Sequence, residues 1–96
     1  MRNYEGIFIL NPDLAGEAAK SAYAQVQELV SKNGGRVDGL QEWGKRRLAY
    51  KIGKRQEGNY LVLNFQMDTQ QTKKLEQALR LNDQILRYLL VNKDAL

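Results

Sequence analysis

The sequence predicts an α+β fold in which two helices cover one face of a four-stranded antiparallel sheet. Apolar residues alternate with a period of two in four stretches, and they recur at three and four positions in two others. Turn-forming residues separate each stretch from the next. The predicted order is therefore strand, helix, strand, strand, helix, strand.

The first two elements are separated by a turn at Asn11-Pro12-Asp13. Residues 4–10 alternate between two largely apolar faces, and Pro12 ends this strand because proline lacks the ladder donor. From about Gly16 the apolar spacing becomes helical, until Asn33-Gly34-Gly35 supplies the left-handed residue that commonly ends a helix. A strand followed by one amphipathic helix is therefore expected.

The middle of the chain is predicted to form a hairpin. Residues 36–52 are extended in character, and the step from Val37 to Leu40 breaks the period of two, which predicts a bulge near Asp38 and Gly39. Residues 53–59 are expected to form a polar loop before a strand over residues 60–67. The buried or half-buried positions predicted in the first of these strands are Val37, Leu40, Trp43, Leu48, Tyr50 and Ile52.

The last two elements complete a ferredoxin-like split βαβ sandwich. Asp68, with Gln71 three residues later, predicts an N-cap and capping box, and a helical stripe follows until Asn82-Asp83. A final strand is expected over residues 85–93. Because 96 residues provide one compact core, residues 1–96 are predicted to form a single domain.

Composition argues against an enzyme. The chain contains no His and no Cys, which excludes an imidazole base, a thiolate nucleophile and the usual zinc ligands. The eleven acidic residues are scattered singly. No catalytic residue, metal, cofactor or small-molecule substrate is predicted, and the short apolar stretches predict a cytoplasmic protein without a membrane span.

Positive charge is concentrated in residues 44–55, GKRRLAYKIGKR. They hold six of the fifteen Lys and Arg residues, and no acid lies between Trp43 and Gln56. Protection of a strand edge needs only one or two lysines, whereas the forked donors of adjacent Arg46 and Arg47 suit phosphate oxygens. The residues predicted to contact a phosphate backbone are Arg46, Arg47, Lys45, Lys54, Arg55 and Arg2, with Arg87 a weaker candidate.

Side-chain alternation divides this stretch. If Leu48, Tyr50 and Ile52 serve folding by pointing to the core, Arg47 and Lys51 share the opposite face, and Arg46 begins the core row. Trp43 could stack on a base, but packing against the hairpin is favoured. Two helices cover only one sheet face, so apolar residues on the other face predict a partner-binding surface at Ile7, Ile9, Val62, Leu89 and Val91.

Two functions known on this fold are disfavoured by the residues. In an RNA-recognition motif, aromatic residues of the third strand stack on bases. The corresponding residues 57–65 begin with an acid and place Leu61 and Leu63 among the stacking positions. An acylphosphatase would need an arginine in the loop after the first strand, and residues 11–16, NPDLAG, contain none.

Three segments carry a resemblance to a known family. Residues 1–14 (MRNYEGIFILNPDL), 43–52 (WGKRRLAYKI) and 80–88 (RLNDQILRY) are similar to the bacterial small-subunit ribosomal protein six family. The resemblance implies the fold predicted above, a cytoplasmic location in the ribosome, and pairing with small-subunit ribosomal protein eighteen. It also implies that the pair binds the central domain of small-subunit rRNA. The alternative is a protein-interaction module whose partner carries most of the RNA affinity.

Overall fold

The computed structural model describes residues 1–52 and 55–94, with side-chain positions for all of these except residues 49–52 and 55. The elements follow the predicted order: β1 (Arg2–Leu10), α1 (Gly16–Lys32), β2 (Arg36–Ile52), β3 (Arg55–Met67), α2 (Thr72–Arg80) and β4 (Ile85–Asn92). A 3₁₀ turn over Thr69–Gln71 precedes α2. The antiparallel sheet has the strand order β2-β3-β1-β4, which confirms the ferredoxin-like architecture.

The core lies between one face of the sheet and the two helices. Alternate residues of β1 and β3 point into it, and the Tyr4 ring stacks on that of Phe65 with 5.6 Å between centroids. Burial of these apolar side chains is the main force that holds the helices on the sheet. The buried cluster comprises Tyr4, Phe8, Leu10, Ala19, Ala22, Tyr23, Val26, Val30, Leu61, Leu63, Phe65, Met67, Leu75 and Leu79.

The end of α1 and the start of α2 both follow from the local chemistry. After α1, Gly34 has a φ of +88°, and the Gly35 N–H donates to the Val30 carbonyl at 2.9 Å, which confirms the predicted helix end. Before α2, the Asp68 carboxylate accepts from the Gln70 N–H at 3.1 Å. Asp68 is thus a cap as predicted, but it caps the 3₁₀ turn that leads into α2.

The end of β4 is tied to the start of β1. The Asn3 N–H donates to the Asp94 carboxylate at 2.8 Å, and the Lys93 N–H donates to the Asn3 carbonyl at 2.8 Å. The hydrogen bonds from Asn3 lower the pKa of Asp94 below its ordinary value, because they favour the ionised carboxylate. The sheet therefore keeps β4 paired to its last residues.

The prediction of a polar loop over residues 53–59 is wrong for residues 55–59, because β3 already begins at Arg55, and residues 53 and 54 lie outside the described residues. Gly58 pairs with Arg46, and Asn59 pairs with Lys45. A side chain on residue 58 would overlap with Ile9, so glycine fits this strand position. Asn59 is 5% exposed and accepts a hydrogen bond from the Tyr23 hydroxyl at 2.6 Å. Polar and glycine residues here therefore serve the strand.

The register of β2 with β3 shifts three times, and two of the shifts are single-residue bulges before Arg47. The predicted one is confirmed, since the register with β3 shifts between Val37 and Gly39 and leaves Asp38 as the additional residue. A second shift between Glu42 and Gly44 makes Trp43 the additional residue. Gly44 has a φ of +76°, a conformation that glycine adopts readily and that is typical of one class of bulge.

The second bulge changes which residues of β2 face the helices. Leu48 was expected in the core. It is instead half-buried beside Gly58, on the sheet face away from the helices, where Ile9 also lies. Val37 packs against the core as predicted, whereas Leu40 and Trp43 are 36% and 42% exposed. The side chains of Tyr50 and Ile52 lie outside the described residues, so their assignment to folding stays a prediction.

Tyr23 and Asn59 share a buried hydrogen bond, so their contributions to the free energy of unfolding should be coupled. Asn59→Leu leaves the tyrosine hydroxyl without its partner, and we expect a loss of about 1–3 kcal/mol in the free energy of unfolding. Tyr23→Phe should cost a similar amount, and the double variant less than the sum, as measured by urea denaturation. Tyr88→Phe is the control, because its hydroxyl makes a longer, part-buried bond to Glu76 at 3.3 Å. Additive losses would contradict the coupling.

Candidate nucleic-acid interface

The paired ends of β2 and β3 extend beyond the rest of the sheet. Leu10, the last residue of β1, pairs with Asn59, so the residues of β3 that precede Asn59 have only β2 as a neighbour. We call residues 45–48 and 56–59 the basic ribbon. Its exposed cations are Lys45, Arg46 and Arg47. The ribbon therefore presents positive charge on a protruding two-stranded support.

The adjacent arginines lie on opposite faces of this ribbon. Arg46 pairs with Gly58, on the face that the helices leave open, and Arg47 pairs with Glu57 on the helix side. Lys45 shares the helix side, because it pairs with Asn59. Arg46 does share a face with Leu48 as the sequence predicts, but that face is the open one. The bulge at Trp43 causes this change of face, because one additional residue reverses which sheet face each of the following side chains occupies.

Trp43 forms an aromatic cluster with Tyr60 and Arg46 on the open face. The two rings stack with centroids 6.2 Å apart and planes inclined by 19°, and the Arg46 Cζ lies 5.0 Å from the indole centroid. The indole Nε1–H donates to the Gln41 Oε1 at 3.0 Å. The expected packing of Trp43 against the hairpin is thus confirmed, although 42% of the residue remains exposed.

The open face of β3 carries residues other than those considered for stacking. Leu61 and Leu63 are 0% exposed and point to the helices. Tyr60, Val62 and Asn64 alternate with them and face the open side. Tyr60, and not Leu61 or Leu63, is therefore the β3 residue to compare with a base-stacking position. Its alternation with buried leucines was visible in the sequence, but the position of Arg46 on the same face depended on the bulge.

The predicted partner-binding residues share the open face but differ in exposure. Ile7 pairs with Val62 on one side and with Leu89 on the other, while Val91 pairs with Glu5. Leu89 and Val91 are 56% and 39% exposed, whereas Val62 is only 2% exposed. Ile7 and Ile9 are half-buried. The accessible part of this apolar surface thus lies near the β4 edge.

Of the other predicted RNA contacts, Arg2 and Arg87 lie away from the ribbon. Arg2 pairs with Met67 at the opposite end of β1, about 27 Å from Leu10 for eight steps of 3.3–3.4 Å. Arg87 pairs with Ile9 on the open face. Lys54 lies outside the described residues, as does the side chain of Arg55. The structure therefore brings together Lys45, Arg46 and Arg47.

The described residues offer neither a metal site nor a membrane-spanning helix. Within residues 1–52 and 55–94, no three His, Cys, Asp or Glu side chains are grouped closely enough to hold a metal ion. Neither helix described there has the length and apolar character that crossing a membrane requires.

Comparison with known proteins gives one consistent family. A family model described as ribosomal protein S6 matches residues 3–92. Small ribosomal subunit protein bS6 of Thermoanaerobacter pseudethanolicus is 42% identical over 94 residues, covering 98% of this chain and 99% of the relative. The protein of the same name from Clostridium novyi is 43% identical over 94 residues, with the same coverage of 98% and 99%.

A solved structure shows the same fold. The crystal structure of 30S ribosomal protein S6 from Thermotoga maritima matches with a TM-score of 0.89 and 30% sequence identity. The match covers 97% of this chain and 88% of that one. The similarity therefore extends over nearly the whole chain.

Replacing the bulge glycine should strain the site without a steric clash. A Cβ on Gly44 would meet no heavy atom within 4 Å, so Gly44→Ala should cost only the positive φ, about 1–2 kcal/mol of unfolding free energy. Gly16→Ala is a matched control, because Gly16 has a φ of +56° and equally open surroundings. We expect both to lower stability in urea denaturation, but only Gly44→Ala to change the fluorescence of Trp43. Unchanged stability of Gly44→Ala would contradict this account.

Proposed function

Because the chain belongs to the ribosomal protein S6 family of the small ribosomal subunit, we propose that it binds the central domain of small-subunit rRNA together with small-subunit ribosomal protein eighteen. Family membership makes it a protein of the bacterial ribosome in the cytoplasm, with a part in translation, and not an enzyme. The observation that carries the proposal is the basic ribbon, which presents cations beyond the edge of the compact fold.

The charge of the ribbon supports contact with phosphates. Lys45, Arg46 and Arg47 are consecutive and exposed, and the first acid along β3 is Glu57. Clustered positive charge attracts the phosphate backbone and displaces its counterions, so affinity for RNA rises without recognition of sequence. Such contacts fix register and orientation, and we assign the ribbon a positioning role.

The division of the arginines supports contact with two stretches of backbone. Arg46 lies on the open face and Arg47 on the helix side, so one phosphate cannot engage both without twisting the ribbon. Arginine binds phosphate oxygens through parallel N–H donors, which favours one well-oriented phosphate per side chain. The ribbon is therefore suited to insertion between two RNA backbone segments.

The apolar open face supports contact with the protein partner. Leu89 and Val91 are exposed on adjacent positions of this face of β4, and Ile7 continues the surface into β1. Burial of such side chains on association is favourable, whereas a phosphate backbone offers them little. We propose small-subunit ribosomal protein eighteen as the occupant, and the alternative function gives that partner most of the RNA affinity.

The two arginines should each contribute to the salt dependence of rRNA binding. Arg46→Ala and Arg47→Ala should each lower the slope of log affinity against log salt by about one, because each removes one phosphate contact. Titrations with a central-domain rRNA fragment at several salt concentrations measure this slope. Lys74→Ala, an exposed cation on α2, is the control and should leave it unchanged. An unaltered slope for both arginine variants removes the ribbon from the RNA surface.

The open face should affect partner binding separately. Leu89→Ser with Val91→Ser removes exposed apolar area, so the affinity for ribosomal protein eighteen should fall by about tenfold or more, while the fold is kept. Leu81→Ser is the control, because Leu81 is 83% exposed and lies after α2. Calorimetric titration measures both affinities. Equal affinities for the two variants would exclude this face.

An rRNA titration without the partner separates the two functions. If this chain supplies the phosphate contacts, the unmodified protein should bind the rRNA fragment by itself with the salt dependence described above. If the partner supplies most of the affinity, binding should become tight only when ribosomal protein eighteen is added. Tight binding by the chain alone therefore counts against the interaction-module alternative.

A further inference from the structure

We propose that the aromatic cluster of Trp43, Tyr60 and Arg46 is a stacking site for an unpaired nucleobase. The inference rests on the proposed binding of RNA and adds a second kind of contact, to a base, beside the phosphate contacts of the ribbon. It concerns a single-stranded or bulged segment, because a base inside a helix already stacks on its neighbours.

The backbone directs Trp43 outward. It is the additional residue of the second bulge, and Gly44 takes the positive φ that accompanies this geometry. Bulges commonly re-aim a side chain at a functional site. Trp43 lies outside the buried core cluster and is 42% exposed. A large aromatic surface is thus held in solvent by a specific backbone conformation.

The indole is also held in one orientation. Tyr60 supports it from within the sheet at 6.2 Å between centroids, and Gln41 accepts its Nε1–H at 3.0 Å. A ring that is already oriented loses little conformational freedom when a ligand stacks on it. The hydrogen bond to Gln41 also leaves the ring faces, and not the N–H, as the available binding surface.

Arg46 identifies the kind of ligand that the indole accepts. Its guanidinium carbon lies over the indole, 5.0 Å from the ring centroid, which is within the range of a cation–π contact. We infer that a base takes this place and that the displaced guanidinium moves to the phosphate of the same nucleotide. The exchange is favourable because base stacking on an aromatic side chain is stronger than a solvent-exposed cation–π contact.

The surrounding charge favours a nucleotide over an apolar protein segment. Arg46 lies on the same face as Trp43 and is exposed. A protein segment packed on Trp43 would have to remove water from this guanidinium, which is costly without a paired anion. Aromatic side chains beside a cationic groove are the usual combination in proteins that bind single-stranded nucleic acid.

Trp43 is the only tryptophan of the chain, so its fluorescence reports on this site directly. We would titrate the protein with a single-stranded oligouridine and, separately, with inorganic polyphosphate, which offers phosphates without bases. Stacking predicts quenching by the oligouridine and little change with polyphosphate. Arg47→Ala should weaken binding and lower the salt slope, yet leave the quenching at saturation unchanged.

Substitution of the tryptophan separates stacking from charge. Trp43→Ala should lower the affinity for oligouridine about tenfold with an unchanged salt slope, because the lost contact releases no counterion. Trp43→Phe keeps an aromatic face and should retain most of the affinity. Circular dichroism of both variants verifies the fold.

Each result decides for or against the site. Unchanged affinity of Trp43→Ala, or equal quenching by polyphosphate, overturns base stacking. Salt-dependent binding of oligouridine without quenching overturns it while the phosphate contacts stand. Absence of binding to oligouridine, polyphosphate and rRNA overturns both proposals. An emission change caused by ribosomal protein eighteen but not by RNA assigns Trp43 to the protein interface instead.

Discussion

The additional residue at Trp43 determines the chemistry of the ribbon. An antiparallel ladder alternates side chains strictly between two faces, so one inserted residue transfers every later side chain to the other face. Through this shift, Arg46 lies on the open face with Trp43 and Tyr60, while Lys45 and Arg47 lie on the helix side. The same shift brings Leu48 beside Gly58. One bulge thus divides the positive charge between two surfaces.

Most of the fold could be predicted because burial imposes a clear period. β1 and the second half of β3 are central strands, and their alternation of buried and less buried residues is nearly complete. The bulge at Asp38 was visible because Val37 and Leu40 are three residues apart. The second bulge left no such signal, because Leu40 pairs with the core residue Leu63 whereas Trp43 lies on the open face, as a regular alternation over three residues also predicts.

The ribbon was harder to predict because most of its side chains are exposed, and only Gly58 and Asn59 are buried among residues 45–48 and 56–59. Without a core to select apolar residues, the period of two carries no information about orientation. The strand nature of residues 55–59 depends on contacts with distant residues, Ile9 above Gly58 and Tyr23 with Asn59. Such contacts leave no periodic trace. Composition still indicated where positive charge is concentrated, because charge concentration does not depend on which face a residue occupies.

The hydrogen bond between Tyr23 and Asn59 has a consequence for the proposed contact of the ribbon with rRNA. Asn59 lies where β1 ends and the ribbon continues, so it marks the base of the ribbon. Tyr23 of α1 donates a hydrogen bond to Asn59, and Ile9 lies against Gly58 on the open face. These contacts hold the base of the ribbon against the body of the protein. In the proposed complex with rRNA, the RNA would therefore have to adapt its shape to the position of the cations.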